Sequence, residues 1–316
     1  MLGNPPRVSI HGVIGRVNED PIKCIQYLIS CMRVWEMELA SAITRSIHGA
    51  RAQHSSSVIP YVPVGYPDIE TTFEIVKIFD KLDAPAVELG IPFSDPLADG
   101  VTIQKASQAS LENGVSLSDC IQLSQRLRAE GVTVPIILMG YYNPIYQYGV
   151  EECVKDAWAS GVNGFIIPDL PYEESSLMRE QTSNYGMAFV PLIALTSSER
   201  RIAATCVGAS GFLYCVSITG VTGARNDLDV APLNNMMGAV RNNSDLPIAV
   251  GFGVSTRKQV EDLCTVADAV VVGSAFVQTV EGAGRSNAVD AAASLYEHLA
   301  GVYRTQQEPT CKSERL

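Results

Sequence analysis

The sequence predicts an α/β fold of the (β/α)₈ TIM-barrel type. Eight short apolar runs alternate with longer amphipathic segments from about residue 57 onward. The runs are continuously apolar, as strands covered on both faces should be, and eight such units with a closing helix match this barrel in size. A doubly wound open sheet is the alternative. Eight units exceed its usual complement, however, and no G-x-G-x-x-G follows the first run.

The predicted strands and helices follow one another in a regular order. The apolar runs are residues 57–65, 84–90, 134–140, 164–170, 187–194, 211–217, 246–252 and 267–273. The segments between them have the 3.6-residue period of helices, and several end in glycine, where a helix C-cap commonly places it. Residues 286–303 supply the closing helix.

The chain divides into three predicted parts: an N-terminal extension (1–45), a barrel catalytic domain (46–304) and a polar C-terminal tail (305–316). Within the extension, residues 21–44 have the apolar spacing of an amphipathic helix, which could cover the barrel bottom or a partner. The alternatives are a loosely ordered extension and a chain whose true start is Met37.

Composition and charge favour a cytoplasmic protein that binds neither nucleic acid nor a membrane. The formal net charge is -11 and the pI is about 4.9, with no long cluster of Lys and Arg. The 8 cysteines are scattered without a C-x-x-C pair, which predicts reduced thiols rather than a disulfide frame or a zinc site. No apolar stretch approaches the roughly 20 residues of a membrane span, and no signal peptide precedes the barrel.

The strand ends, where barrels carry their function, offer neither histidine nor lysine. The histidines lie before the first strand or in the last helix: His11, His48, His54 and His298. The lysines fall in helices, in the segment after the second loop, or in the extensions. These positions argue against a histidine base, a histidine-ligated metal, a Ser–His pair and a Schiff-base aldolase.

Carboxylates occupy the strand ends instead, most densely in the stretch ELGIPFSDPLADG (88–100). Glu88 ends the second strand among the apolar neighbours Val87, Leu89 and Ile91, so its pKa should be raised toward neutrality, as suits proton transfer. Asp99 lies in a loop rich in Gly and Pro and should stay ionised. Two carboxylates in differing environments form a workable acid/base pair.

Other polar side chains accompany this pair. They are Asp95 in the same loop, Tyr141 and Tyr142 after the third strand, Asp169 after the fourth and Tyr214 on the sixth. An alternative role for Asp95 and Asp99 is to cap the helix or turn that follows, as aspartate commonly does.

Glycine-rich loops follow the last three strands and predict a phosphate site. Four residues converge on one side of the barrel mouth: Gly223, Gly253, Gly273 and Ser274. Glycines let backbone N–H groups and a helix N-terminus approach an anion closely, which is how barrels bind phosphate after strands seven and eight. For any single glycine, a tight turn or a helix cap is the alternative explanation.

The stretch VELGIPFSDPLADG, followed by TIQ, closely resembles the signature of the tryptophan synthase α chain family. The likeness runs from about Val58 to Tyr303, with VGYPD, LMGYYNPI, PDLPYEES, VSITGVTGAR, VGFGVS and VVVGSAFV in the same order. The resemblance implies a barrel that cleaves indole-3-glycerol phosphate to indole and glyceraldehyde 3-phosphate, without metal or organic cofactor. It also implies a tryptophan synthase β chain as partner, in an α2β2 complex through which indole passes by an internal tunnel.

The resemblance also implies a role for each site residue. Glu88 would protonate indole C3 and take the proton from the glycerol hydroxyl, while Asp99 would bind the ring N–H. Tyr214 would pack beside the glutamate, and Tyr141 would line the indole pocket. Gly223, Gly253, Gly273 and Ser274 would form the phosphate cradle, and Thr222 would belong to a loop that closes over the substrate and touches Asp99.

The sequence departs from the family pattern at Val101, where the family usually has proline, and in its longer N-terminal extension. We expect both differences to affect binding of a β chain more than the reaction itself. Two further functions remain open from the sequence: a free-standing lyase that releases indole for other metabolism, and a catalytically silent partner of a β chain. A third possibility is an unrelated phosphate-binding barrel, such as another isomerase or lyase of indole or sugar phosphates. The absence of Lys and His from the strand ends argues against it.

Overall fold

A computed structural model describes residues 38–53, 56–216, 231–251 and 253–302. Most of the predicted extension (1–37), residues 217–230 and the predicted tail (305–316) lie outside the described residues. Among the described helices, none combines the length and the apolar character that a membrane crossing needs.

Nine strands form one sheet in which every described pairing is parallel. They are β1 (Val58–Pro63), β2 (Val87–Gly90), β3 (Ile136–Met139), β4 (Gly164–Ile166), β5 (Ala188–Val190), β6 (Leu192–Ala194), β7 (Leu213–Val216), β8 (Ile248–Gly251) and β9 (Ala269–Val272). The strand order is β5-β4-β3-β2-β1-β9-β8-β7-β6. Because β5 and β6 are consecutive in the chain, the sheet curls into a nearly closed barrel, and the predicted fold class is confirmed.

Helices surround this sheet. They are α1 (Glu38–Gln53), α2 (Ile69–Lys81), α3 (Val101–Glu112), α4 (Leu117–Ala129), α5 (Tyr142–Tyr148), α6 (Val150–Ala159), α7 (Ser176–Asn184), α8 (Glu199–Cys206), α9 (Ala231–Arg241), α10 (Arg257–Cys264), α11 (Ser274–Ala283) and α12 (Ala288–Ala300). Two 3₁₀ turns, Tyr172–Glu174 and Arg285–Asn287, complete the described elements.

The predicted fifth strand (187–194) is divided in two by Pro191. β5 pairs with β4, whereas β6 pairs with β7. Proline has no backbone N–H to donate to a ladder, and the Pro191 carbonyl instead accepts a hydrogen bond from the Tyr214 N–H at 3.1 Å. Each of the other seven predicted runs contains one strand.

Helix α1 closes the amino-terminal end of the barrel. Its fully buried Ile43 and Ile47 belong to the inner apolar cluster, together with Ile59 and Phe212 from the strand region. The Ala40 N–H donates a hydrogen bond to the Gly186 carbonyl at 2.9 Å, and the Thr44 hydroxyl donates to the Gly211 carbonyl at 2.7 Å. The described end of the predicted N-terminal helix therefore covers the barrel bottom, and the predicted boundary at residue 45 falls inside α1.

Candidate active site

A cavity of about 560 Å³ opens at the carboxyl ends of the strands. Six of the predicted site residues line it: Glu88, Asp99, Tyr214, Gly253, Gly273 and Ser274. They come from segments that are far apart in sequence, and the parallel sheet brings them together because all its strands end at one mouth. Two other predicted residues, Thr222 and Gly223, lie outside the described residues.

Glu88 is the most unusual group in the cavity. Its side chain is fully buried, and neither carboxyl oxygen has a hydrogen-bond partner among the residues that the structure describes. Burial without a compensating charge or donor disfavours the ionised form, and it raises the pKa of Glu88 to about 8. The raised pKa expected from the sequence is confirmed, so at neutral pH this carboxyl group holds a proton.

The groups that bury Glu88 are not its neighbours in sequence. Side chains alternate along a strand, so Val87 and Leu89 face outward and join the core under the helices. Glu88 faces the barrel axis, level with Tyr61 of β1 and Ile137 of β3. The pKa direction expected from the sequence is therefore correct, but Val87 and Leu89 are not its cause, because alternate residues of a strand lie on opposite faces of the sheet.

Asp99 lies in the loop after β2 and is held by Tyr141. The Tyr141 hydroxyl donates to the Asp99 carboxylate at 3.0 Å and accepts from the Ala98 N–H at 2.9 Å. The Tyr141 ring stacks on Phe93 with centroids 5.2 Å apart. Burial raises the pKa of Asp99, while the hydrogen bond from Tyr141 acts in the opposite direction.

The capping alternative for these aspartates does not describe the start of α3. Its N-cap residue is Gly100, and no side chain caps it. Asp95 is exposed and its carboxylate accepts a hydrogen bond from the adjacent Ser94 hydroxyl. Asp169, another predicted strand-end acid, accepts a hydrogen bond from the Tyr142 N–H at 2.9 Å. Neither Asp95 nor Asp169 lines the cavity.

Two tyrosines frame Glu88, and each lies over a glycine of the next strand. The Tyr214 hydroxyl occupies the space that a side chain at Gly251 would fill, and the Tyr61 hydroxyl does the same at Gly90. Burial, followed by the charges of Glu88 and Asp99, raises the pKa of Tyr214 well above its ordinary value. This phenol is therefore a hydrogen-bond donor throughout the physiological range.

Tyr61 lines the cavity but was missed by the sequence reasoning. Barrel sites are expected at strand ends and in the loops after them, whereas Tyr61 lies within β1. The run VIPYVP did contain a signal, because Tyr61 is the one side chain in it with a polar tip. A phenol inside an otherwise apolar strand needs a partner or a wet surface for its hydroxyl, and here that surface is the cavity.

Glycines and a helix N-terminus form the other side of the cavity. Gly253 has a φ of 71°, which glycine adopts at little cost. Gly273 is the N-cap of α11 and Ser274 its first residue. The first N–H groups of a helix have no intrahelical partner and favour an anion. The described residues include no group of three or more His, Cys, Asp and Glu side chains suited to a metal ion.

Together these features define a parallel barrel whose cavity holds a protonated carboxyl group, a second carboxyl group and a helix N-terminus suited to an anion, a set of groups that fits an acid/base enzyme. The sequence model that describes the tryptophan synthase alpha chain family matches residues 47–304 of this chain. The chain belongs to this family.

Individual relatives agree with this assignment. The tryptophan synthase alpha chain of Chloroflexus aggregans is 43% identical over 260 residues, which are 82% of this chain and 97% of the relative. Tryptophan synthase subunit alpha from Legionella pneumophila has a TM-score of 0.75 at 30% identity, covering 82% of this chain and 97% of that one. A chain of the tryptophan synthase a2b2 complex of Pyrococcus furiosus has a TM-score of 0.73 at 36% identity, covering 78% and 98%.

Proposed function

We propose that this chain is a carbon-carbon lyase that cleaves indole-3-glycerol phosphate to indole and glyceraldehyde 3-phosphate, as the α subunit of a tryptophan synthase in L-tryptophan biosynthesis. Family membership supplies the reaction class. The observation that carries the proposal is Glu88: a fully buried carboxyl group with a pKa of about 8, facing a cavity that also holds Asp99 and an anion cradle.

In the proposed mechanism Glu88 acts as acid and then as base. Indole leaves poorly as a carbanion, so the protonated Glu88 first delivers its proton to C3 of the ring. The product is an electron-poor indolenine, which accepts the electron pair of the breaking C–C bond. The Glu88 carboxylate then removes the proton of the glycerol hydroxyl as that carbon becomes the aldehyde. Glu88 ends the cycle protonated, as it began.

Asp99 stabilises the charge that develops during the first step. Protonation at C3 leaves positive charge on the ring nitrogen, and a carboxylate that accepts the ring N–H hydrogen bond offsets it. Tyr141 fixes this carboxylate through its 3.0 Å hydrogen bond. We place Tyr141 behind Asp99 rather than in the cavity wall, because the Tyr141 side chain is buried and does not line the cavity. Tyr214 packs beside Glu88 and supplies a protonated phenol.

The phosphate is assigned to the side of the cavity formed by Gly253, Gly273 and Ser274, where backbone N–H groups at the start of α11 face an anion. Two further assignments rest on the sequence alone. Gly223 is proposed as part of the phosphate cradle, and Thr222 as part of a loop that covers the substrate. The chemistry consists of proton transfers and one C–C cleavage, so the proposal includes no metal or organic cofactor.

We further propose that the chain works in the cytoplasm with a tryptophan synthase β chain in an α2β2 complex. The Pyrococcus furiosus structure concerns mutual activation of such a complex. Two apolar side chains that line the cavity are also largely exposed: Leu97 in the loop after β2 and Val101 at the start of α3. A partner that covered them would bury apolar surface next to the exit for indole.

Steady-state cleavage of indole-3-glycerol phosphate tests this proposal, with the purified chain alone, with an added β chain, and with Glu88→Gln in both settings. We expect weak activity alone, a large increase with the β chain, and loss of activity in the variant. High activity alone without response to the β chain would instead identify a free-standing lyase. No activity in either setting would contradict the proposal and favour a silent partner.

A further inference from the structure

Tyr61 lies between the two ends of the cavity. On the parallel ladder it is level with Glu88, the proposed acid and base. Its hydroxyl reaches over Gly90 at the end of β2, and its ring packs beside Gly273, where a Cβ would be 3.2 Å from the ring. One edge of this side chain therefore borders the reacting end of the cavity, and the other borders the anion cradle.

The glycines make room for this placement. A side chain at Gly90 would overlap the Tyr61 phenol, and one at Gly273 would press on its ring. Tyr61 also contacts the small apolar cluster of Ile103 and Val277 from helices α3 and α11. The ring is thus fixed from several sides, and its hydroxyl has little freedom to turn away from the cavity.

The Tyr61 hydroxyl is a donor that has no hydrogen-bond partner among the described residues. Burial, followed by the charges of Asp99 and Glu88, raises the pKa of Tyr61 well above its ordinary value, so the phenol keeps its proton. A fixed donor that faces a cavity and lacks a protein partner is satisfied by water or by a ligand. The hydroxyl lies at the Gly90 end of the ring and away from Gly273, so the part of an elongated ligand within its reach is the chain next to the reacting carbon.

We propose that Tyr61 is a specificity-determining residue whose hydroxyl donates a hydrogen bond to a hydroxyl oxygen of the glycerol chain, between the indole ring and the phosphate. The inference rests on the proposed function and adds to it a contact for the polar middle of the substrate. Glu88, Asp99 and the cradle account for the reacting carbon, the ring nitrogen and the phosphate. Of the two phenols that line the cavity in the described part of the chain, Tyr61 is the one whose ring also packs beside Gly273 of the cradle.

The test compares Tyr61→Phe with the parent in the presence of a β chain. The phenylalanine keeps the ring and removes only the hydroxyl, and Tyr66→Phe, whose hydroxyl does not line the cavity, is the matched control. Each protein is assayed with indole-3-glycerol phosphate. Each is also titrated with the substrate analogue 3-(indol-3-yl)propyl phosphate as a competitor, which has the ring and the phosphate but neither glycerol hydroxyl.

We expect Tyr61→Phe to lower kcat/KM for the substrate about tenfold, which corresponds to the loss of one hydrogen bond to a neutral group. The inhibition constant of the propyl phosphate should change less than about twofold, because this ligand has no hydroxyl for Tyr61 to bind. Tyr66→Phe should change neither. Equal losses for both ligands, or no loss for either, would overturn the inference while leaving the proposed function intact. A parent that fails to cleave the substrate would contradict both.

Discussion

At the scale of single residues, the chemistry of this barrel depends on which face of a strand a side chain occupies. Glu88 has apolar neighbours in sequence, but those neighbours point to the helices, and its own environment is the barrel interior with Tyr61 and Tyr214. The same carboxyl group on the outer face of β2 would meet helix side chains and no cavity. Position on the strand therefore makes Glu88 a proton donor at neutral pH.

The pH dependence of cleavage should follow from this raised pKa. Glu88 must be protonated for the first step, and its pKa is about 8. We expect kcat/KM to fall about tenfold per pH unit above that value, because the proton that the first step needs is then missing from most molecules. Stopped assays between pH 6 and 10 measure this limb. A decline that began near the ordinary glutamate pKa would contradict the assignment.

Stability should also fall as pH rises, but over a lower pH range than activity. In the unfolded chain Glu88 ionises near its ordinary pKa of 4.5, but in the folded chain only near 8. The folded state therefore binds more protons between these values, so the stability contributed by this group is full below 4.5 and is lost as pH rises toward 8. We expect Glu88→Gln to melt above the parent, by a margin that grows from pH 5 to pH 8. A margin independent of pH in thermal unfolding would count against this.

At the scale of elements, two helices show how local sequence sets stability: α3, which follows the Asp99 loop, and α1, which closes the barrel bottom. α3 begins two residues after Asp99, and its first residue is Val101, which is 67% exposed. Proline is favoured at this position, because its N–H would be unpaired in any case and its φ suits the helix. Gly100 before it has a ψ of 163°, which a following proline accepts.

Val101→Pro should therefore stabilise the start of α3 rather than break it. We expect a gain of about 0.4–1 kcal/mol in the free energy of unfolding, mainly from reduced freedom of the unfolded chain. Gln104→Pro is the matched control, because the Gln104 N–H donates to the Gly100 carbonyl at 3.0 Å. That variant should lose roughly 3 kcal/mol. Denaturant unfolding compares the two, and a loss in Val101→Pro would contradict the N-terminal position given to it.

Helix α1 contributes stability by closing the barrel bottom. Ile47 is fully buried in the inner cluster, whereas the next residue, His48, is exposed. Ile47→Ala should cost about 2–5 kcal/mol because it leaves a cavity in the barrel interior. His48→Ala should change the free energy of unfolding by less than about 0.5 kcal/mol. Equal effects in urea titrations would show that α1 does not pack as described.

At the scale of the whole molecule, the parts that could be predicted are those that topology dictates. Continuous apolar runs predicted the strands, and a barrel brings all strand ends to one mouth, so Glu88, Asp99 and Ser274 could be grouped before any coordinates. Three features escaped. The break at Pro191 depends on ladder pairing, the outward direction of Val87 and Leu89 depends on register, and Tyr61 lies within a strand rather than at its end. Each depends on contacts across the sheet, which a single sequence does not contain.

The central claim is that this fold keeps the Glu88 carboxyl protonated at neutral pH inside an acid/base site. Carbon NMR of the chain labelled at the glutamate δ-carbons, titrated from pH 4 to pH 10 beside Glu88→Gln, measures this most directly. The account predicts one resonance that titrates near 8 in the parent and is absent from the variant. If every glutamate of the parent titrated near its ordinary pKa, the claim would be contradicted.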